Sequence, residues 1–575
     1  MFILRFSTWI VYVVYLVGTS IVYIFLNGSY LLYEHYYGTT VPTKQQYEYI
    51  IIGTGTAGSV IATGIPSKDV LIVEAGSMRP AIMDVPLLQP LFQGTFYDWQ
   101  YRTEAQEAAC NALNENRSAW PMGKVFGGSH VFNNMINYRA TREDFQEWFE
   151  TEEELTMFME HFDHWGEDLS TVMEMQKFST GLDSAFIEAA AQAGLDSSLF
   201  YRPNVTMKDG KRMTTSHHSW TNMLKSYQIV FNAEVERIII ENGHATGIIF
   251  NKNGKSVEGK ASKGIILAAG TVGSTKILLQ SGIGPKQHLE NAGISAIIDL
   301  PVGENLQDHI TTGMDLILLS QRMPMGLMDI VHPLNLWNYF FNNGQNSSIS
   351  FGGCECLGFV NLGSNFTHDI GFMVLPVGIT VDAGAHLRNL INLRPDVWSQ
   401  YFKPMVDQNK QSVTILPILL HPKSKGYIRI NNTNPRSNLI IHPNYLRNPE
   451  DVQTLITGLK ILQHIIKQPA MQALGAEINP IAFPGCQNHQ FLSNSYWECY
   501  IRALTLTLYH PVGTCRMGNA KDPEAVVSNR DLKVHQLDNL YVVDASVLPN
   551  LPSGNPNSVV IALANYFLNK NFPNV

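Results

Sequence analysis

A histidine set among turn residues, Tyr509-His510-Pro511-Val512-Gly513, and a rigid Gly554-Asn555-Pro556-Asn557 stretch are the residues of this chain best suited to chemistry. A neutral imidazole has a reference pKa of about 6.5, close to working pH, so His510 suits general-base work. Asn555 carries a side-chain amide that can donate a hydrogen bond. Taken singly, each is also an ordinary turn residue. The apolar run from Val559 to Ala564 reads as a helix whose positive end faces this corner.

What the corner acts on depends on the other end of the chain. Tyr47-Glu48-Tyr49-Ile50-Ile51-Ile52 reads as a buried strand that stops at Gly53-Thr54-Gly55-Thr56-Ala57-Gly58. Ser59 to Thr63 then continues a short helix, which Gly64 and Pro66 end early. A second strand, Val70 to Val73, runs into Glu74, 21 residues after the first glycine. This is the strand, G-x-G-x-x-G, helix, strand, acid pattern of a dinucleotide site. Its glycines admit a pyrophosphate, its helix N-terminus attracts the charge, and its acid accepts from ribose hydroxyls.

At 575 residues the chain exceeds what one hydrophobic core usually serves, so two domains are expected. Hydrophobic residues make up 45% and charged residues 15%, a composition that argues against extensive disorder. A net charge of −9 gives no reason to propose nucleic acid, and short basic clusters such as Lys208 to Arg212 read as solvated surface. His161 and His164 lack the supporting ligands of a metal site, and no metal is expected.

The N-terminus is unlike the rest. Trp9 to Leu26 is almost continuously apolar, and a helix needs about 20 such residues to cross a bilayer. An uncleaved anchor within residues 1–36 is the first reading, with a cleaved secretory signal or a buried helix as the alternatives. Arg5 ahead of the run keeps Met1 cytoplasmic and places the body in the lumen or outside. Cys486 and Cys499 lie close together and could close a short loop in an oxidising compartment. Cys354 and Cys356, neighbours on an expected strand, have poor geometry for a bond. Sequons at Asn116, Asn204, Asn346, Asn365 and Asn431 agree with secretion.

Between the ends, residues 141 to 176 are acidic and aromatic and read as surface helix, and Ser184 to Ala193 as an amphipathic helix stopped by Gly194. Glu234 to Ile240 and Thr246 to Phe250 form a hairpin about Asn242-Gly243. Lys263 to Gly270 is another buried strand. Residues 310 to 500 carry no nucleotide signal; strands are expected over 349–362, 412–422 and 426–430, and a helix over 449–468.

Together these motifs resemble the glucose-methanol-choline (GMC) flavoprotein oxidoreductases over essentially everything after the first forty residues. Gly123 to Ser129 is similar to the family's first signature and Gly270 to Gly284 to its second. Val302-Gly303, Asn305 to His309, and Pro422 to Gly426 fit as well. The Gly485-Cys486 and Tyr496-Trp497-Glu498-Cys499 pair looks like the insect-type branch, which is commonly secreted or luminal. The resemblance implies an α/β Rossmann-like FAD-binding domain (residues 45–309 and 500–575) with an inserted antiparallel-sheet substrate domain (residues 310–499).

It also implies site residues. His510 is then the base that takes an alcohol's proton as hydride leaves for flavin N5, with Asn555 as second catalytic residue. FAD-binding residues are Gly53, Gly55, Thr56, Ala57, Gly58, Glu74, Lys124, Gly128, Ser129, Asn133, Val235, Asp544, Ala545 and Asn557. The sequence departs from the family pattern at Met122, Phe126, His130 and Asn137, in the loop that runs beside the flavin. The partner is a small alcohol. The apolar middle region, Met314 to Met328, and the membrane-like N-terminus point to a lipophilic ring alcohol such as a retinoid or ecdysteroid. A sugar dehydrogenase, an FAD-containing hydroxynitrile-lyase-like enzyme and a non-catalytic homologue are the alternatives.

Overall fold

Strand β1 (Tyr47–Ile52) ends at Gly53, whose φ of +97° only glycine adopts without strain, and where a Cβ would lie 2.5 Å from the Ala268 carbonyl oxygen. The computed structural model describes residues 41–138, 140–164, 173–217, 227–364, 366–431 and 439–573. The N-terminal apolar run and Asn365 lie outside the described residues. Among the described residues, no helix is long and apolar enough to cross a membrane.

Helix α1 (Thr56–Gly64) follows Gly53 and stops at Ile65, ahead of Pro66; strand β2 (Val70–Val73) then lies parallel to β1. On the far side of β2 sits β3 (Gln228–Val230), also parallel. Strands β4 (Ala233–Glu241) and β5 (His244–Lys252) form the expected hairpin, with Asn242 and Gly243 both at positive φ. The long strand β6 (Lys255–Leu267) changes partners midway. Its first half is antiparallel to β5, and Ala261 to Leu267 runs beside β1 in parallel. Helix α2 (Gly270–Gln280) leaves its end.

From the far end of the chain, β7 (Leu540–Val542) joins the other flank of β6 in parallel, and helix α3 (Asn557–Asn571) closes the fold. The order is therefore β3-β2-β1-β6-β5-β4, with β7 also on β6. Because β1, β6 and β7 are parallel, the loops after them share one edge of the sheet.

A second, antiparallel sheet centres on Gln411–Leu419, flanked by Ile370–Leu375 and Cys356–Val360 on one side and Ile317–Leu319 on the other. It also takes in Phe200–Tyr201, Ile310–Thr311, Glu477–Ile478 and Leu506–Thr507. Gln411–Leu419 is buried on both faces, and the helix Pro449–Ile466 covers one of them. The strand expected over 349–362 is shorter, Cys356–Val360, because Ser348–Ser350 forms a tight turn held by the Asn335 side chain.

Two expectations change. The helix Glu152–His164 is not solely surface: Leu155, Phe158 and Phe162 are buried, with the two phenylalanines against Phe145 and Phe158 also against Tyr566 of α3. In the Lys208 to Arg212 cluster Lys208 and Lys211 are exposed, but Arg212 is fully buried. Cys486 and Cys499 are bonded, with Cα atoms 5.8 Å apart, while Cys354 and Cys356 are free.

Candidate active site

One elongated cavity runs along the shared edge, and both ends of the chain line it. Glu74 stands at one end. Its carboxylate is buried and accepts from Thr54 N (2.9 Å) and Thr54 Oγ1 (2.5 Å) on one oxygen and from Gly76 N (2.7 Å) on the other. Burial raises its pKa, against the pull of these donors. Val235 and the Lys276–Glu234 ion pair (2.7 Å) line the same end.

The middle is a cradle of backbone. Gly55 faces open space where a Cβ would sit, and Gly128, at φ +56°, presses to within 2.9 Å of the Gly55 Cα by the same measure. The N-termini of α1, α2 and α3 all open here, at residues 55–57, 269–271 and 556–557. No side chain caps α1 or α3, so their first N–H groups are left for a ligand. The two uncapped positive ends, of α1 and α3, converging on one cavity suit an anionic diphosphate.

At the far end stand His510 and Asn555, brought together as expected. Asn555 Nδ2 lies 3.1 Å from His510 Nε2, and His510 Nδ1 lies 2.9 Å from His309 Nδ1. His309 Nε2 is 3.1 Å from the Pro552 carbonyl oxygen. That oxygen can only accept, so Nε2 of His309 carries the proton and its Nδ1 accepts from His510 Nδ1–H. His510 Nε2 is then the free base, and the Asn555 amide donates to it.

Burial, with His309 alongside, holds the His510 pKa well below the usual histidine range, and burial pushes His309 down to about 3. Both rings are therefore neutral at pH 7, as this tautomer assignment requires. Asp308 fixes the His510 backbone: Oδ1 accepts from His510 N (2.9 Å), and Oδ2 from Thr507 Oγ1 and Tyr445 OH. Tyr509 adopts a left-handed φ of +63°, a conformation uncommon outside glycine, at the turn that presents His510 to the cavity.

Most of the sequence-predicted residues line this cavity: Gly53, Gly55, Thr56, Ala57, Glu74, Gly128, Ser129, Asn133, Val235, Asp544, Ala545 and Asn557, with His510 and Asn555. Gly58 does not. It lies behind the turn, where a Cβ would meet the Gly53 carbonyl oxygen at 2.1 Å, so it serves helix–strand contact. Lys124 does not either. Its Nζ sits over the Trp99 ring at 4.5 Å and lines a neighbouring cavity. Asp544 reaches the wall, but its carboxylate is spent within the protein, on Gly270 N, Ser274 Oγ, Ser546 N and Ser546 Oγ.

Several residues that line the cavity have no role on sequence alone. Trp99 and Tyr101 add aromatic wall, with Met122, one of the departures, and Tyr509, the neighbour of His510. His130, one of the departures, is buried and bonds Asn557 Nδ2 through Nε2 (3.2 Å). Arg212 Nη1 donates to the His130 carbonyl and to Asn133 Oδ1 (2.7 Å), holding two cavity residues from behind. His309 lay in a motif quoted for resemblance alone; only the fold puts its ring against His510.

A largely parallel sheet whose glycine turn and helix ends open on one cavity defines a dinucleotide-binding class of fold. The GMC oxidoreductase family profile matches residues 47–311 and 422–564. Glucose dehydrogenase [FAD, quinone] of Drosophila melanogaster is 27% identical over 568 residues, 90% of this chain and 85% of that protein. Alcohol dehydrogenase [acceptor] of Pseudomonas putida is 31% identical, covering 90% and 94%. The structure of pyridoxine 4-oxidase from Mesorbium loti superposes with a TM-score of 0.74 at 26% identity, covering 92% of this chain and 99% of the other. The chain belongs to the GMC oxidoreductases. It is an FAD-dependent oxidoreductase acting on a CH–OH group.

The cavity fits FAD on its own features, with acid, glycine cradle, two uncapped helix ends and the His–Asn pair lining it together. Glu74 would hold ribose hydroxyls, the α1 and α3 N-termini and Gly128 the diphosphate. Bound FAD supplies the hydride acceptor.

Proposed function

We propose that the enzyme oxidises a lipophilic ring alcohol, of the retinoid or ecdysteroid kind, with His510 as base and Asn555 as oxyanion donor. The observation that carries the chemistry is the Asn555–His510–His309–Pro552 chain, which keeps the proton on Nδ1 of His510 and its Nε2 lone pair on the Asn555 amide, at the cavity wall. A substrate hydroxyl that displaces the Asn555 amide from Nε2 donates its proton to that nitrogen and accepts from the displaced amide. His309 anchors the other side of the ring, so the proton stays on His510 while the carbon loses hydride.

An apolar substrate suits the wall: Tyr509 stands next to His510, and Trp99, Tyr101 and Met122 line the same cavity with flat and aliphatic surface. A sugar, the substrate named for the Drosophila relatives, would ask for more polar partners there. Anaerobic mixing of the purified enzyme with sugar, sterol and retinoid alcohols, following bleaching of the flavin, tests both readings. Bleaching by ring alcohols and not by sugars is expected. Bleaching by glucose alone overturns the substrate reading, and cyanohydrin cleavage without any bleaching overturns the oxidation.

We also propose that Trp9 to Leu26 anchors the body at a membrane of the secretory pathway. The Cys486–Cys499 bond and the exposed sequons at Asn204 and Asn346 support an oxidising, glycosylating compartment. Resistance to carbonate extraction and a mobility shift on glycosidase treatment are expected; a soluble, unglycosylated native protein would refute it.

A further inference from the structure

The helix Pro333–Phe341 is amphipathic the wrong way round for a soluble protein. Its inner side is polar. Asn335 donates to the Ile330 carbonyl and Ser348 Oγ and accepts from Ser348 N, and Tyr339 is only 7% exposed. Its outer side carries Leu334 (61% exposed), Leu336, Trp337 (59%), Phe340 (68%) and Phe341 (72%), with Met328 of the preceding turn exposed beside them. At 3.6 residues per turn the outer five fall on one arc and Asn335, Asn338 and Tyr339 on the other. The Trp337 and Phe341 rings pack against each other at a tilt, with centroids 4.6 Å apart, so part of their apolar area is covered only by a like neighbour. Monomeric soluble proteins rarely show such a contiguous patch, and among the described residues nothing buries it.

Cations stand at the end of this helix. Gly210 and Gly344 meet backbone to backbone, which sets the hairpin bearing exposed Lys208 and Lys211, with Asp209 between them, next to the helix C-terminus. Lys177 Nζ donates to the Asn343 carbonyl close by and pairs with Glu174. Aromatic and long aliphatic side chains on one face with lysines at the margin are what the interfacial layer of a bilayer accepts. The chain has a second reason to be there. Trp9 to Leu26 is long enough to enter a membrane, and the stretch from there to exposed Val41 can span up to about 50 Å, which would hold the body within that distance of the bilayer.

We propose that the outer face of Pro333–Phe341 inserts into the headgroup–acyl boundary of a lipid bilayer and seats the body on the membrane. The seating rests on the anchor reading for its proximity but is a separate contact, and it would present the enzyme to alcohols dissolved in the lipid.

The full-length holoenzyme is reconstituted in phosphatidylcholine–phosphatidylserine vesicles with and without brominated acyl chains, beside Trp337→Tyr and a Phe340→Glu/Phe341→Glu variant. Greater quenching of the wild type than of Trp337→Tyr is expected. In the double variant KM for a bilayer-partitioned alcohol should rise several-fold, while kcat for a water-soluble alcohol and flavin content stay at wild-type values. Vesicle-bound protein whose Trp337 is not quenched overturns the seating and leaves the anchor standing. Protein washed off by carbonate sinks the anchor alone, and seating then survives only if flotation is lost in the double variant. A self-association in solution that the double variant abolishes, with no quenching in vesicles, assigns the face to a second copy and overturns the proposal.

Discussion

Replacing His309 tests the tautomer argument directly. His510 Nδ1–H has one acceptor, His309 Nδ1 at 2.9 Å, and lies in surroundings apolar enough to keep both rings neutral. In His309→Leu that N–H is orphaned, and an unsatisfied buried donor costs about 1–3 kcal/mol. The ring can escape by moving its proton to Nε2, where the Asn555 amide, once rotated, accepts it. That tautomer has no lone pair toward the substrate. A bias of about 1–3 kcal/mol at roughly 1.4 kcal/mol per decade removes the competent form by about 5- to 150-fold.

The assay is the rate of anaerobic flavin reduction by a saturating alcohol, which reports the proton–hydride step without product release. His309→Gln restores an acceptor oxygen and should recover most of the rate, and nitrogen-15 histidine spectra should show the proton back on Nδ1 of His510. Unchanged reduction in His309→Leu, or a Gln variant as slow as Leu with full flavin content, would refute the reasoning.

Asn555→Ala removes the oxyanion donor and should lower kcat by about 10²–10³-fold with flavin content unchanged; a loss under tenfold would show that the amide is not used. Glu74→Gln keeps the shape but loses charge-assisted acceptance, so FAD affinity measured by titrating the apoprotein should fall about tenfold or more. A double Cys486→Ser/Cys499→Ser variant opens a loop of 13 residues and should cost about 3 kcal/mol, read as a lower Tm with unaltered turnover per folded molecule. Burial holds His309 and His421 at about 3 in the fold, so the unfolded chain binds their protons first. Their stability contribution is whole above about pH 6.5 and is lost as pH falls, by up to about 1.4 kcal/mol per pH unit each. Asp308, raised to about 6, and Glu355, raised to about 7, act in the opposite sense as pH falls towards 4. His421→Phe should therefore lose less Tm than the wild type between pH 6.5 and 4, and an identical pH dependence in the two proteins would contradict the burial argument.

How much of this was legible depended on whether the signal was local. The turn at Gly53 needs a conformation only glycine takes freely, and Glu74 follows at a fixed distance, so both can be read from neighbours in the chain. The hairpin at Asn242-Gly243 is of the same kind. His309 could not be read as a partner of His510, because the two come together through strand pairing of Ile310–Thr311 with Leu506–Thr507, some two hundred positions apart. Arg212 looked like surface beside two lysines; its burial comes from the register of Met207 against Arg212 and the cavity loop packed over it. Phe158 and Phe162 misled for a similar reason, since the acids around them said nothing of α3 arriving from the other end.

The same reasoning explains why the corner at residues 510 and 555 finds the turn at residue 53. Strand β7 is only three residues long, and pairing of Ile265 with Leu540 alone would tolerate a slip. A slip of one residue would turn every side chain over and shift the following loop by about 3.3 Å. Asp544, two residues past β7, forbids it: one carboxylate oxygen accepts from Gly270 N and Ser274 Oγ of α2, and the other closes the local turn on Ser546. Burial raises the pKa of this carboxyl and four donors draw it back, so the group is held by geometry that only one register supplies. The acid that lines the cofactor cavity therefore also fixes where the loop leading to Asn555 begins.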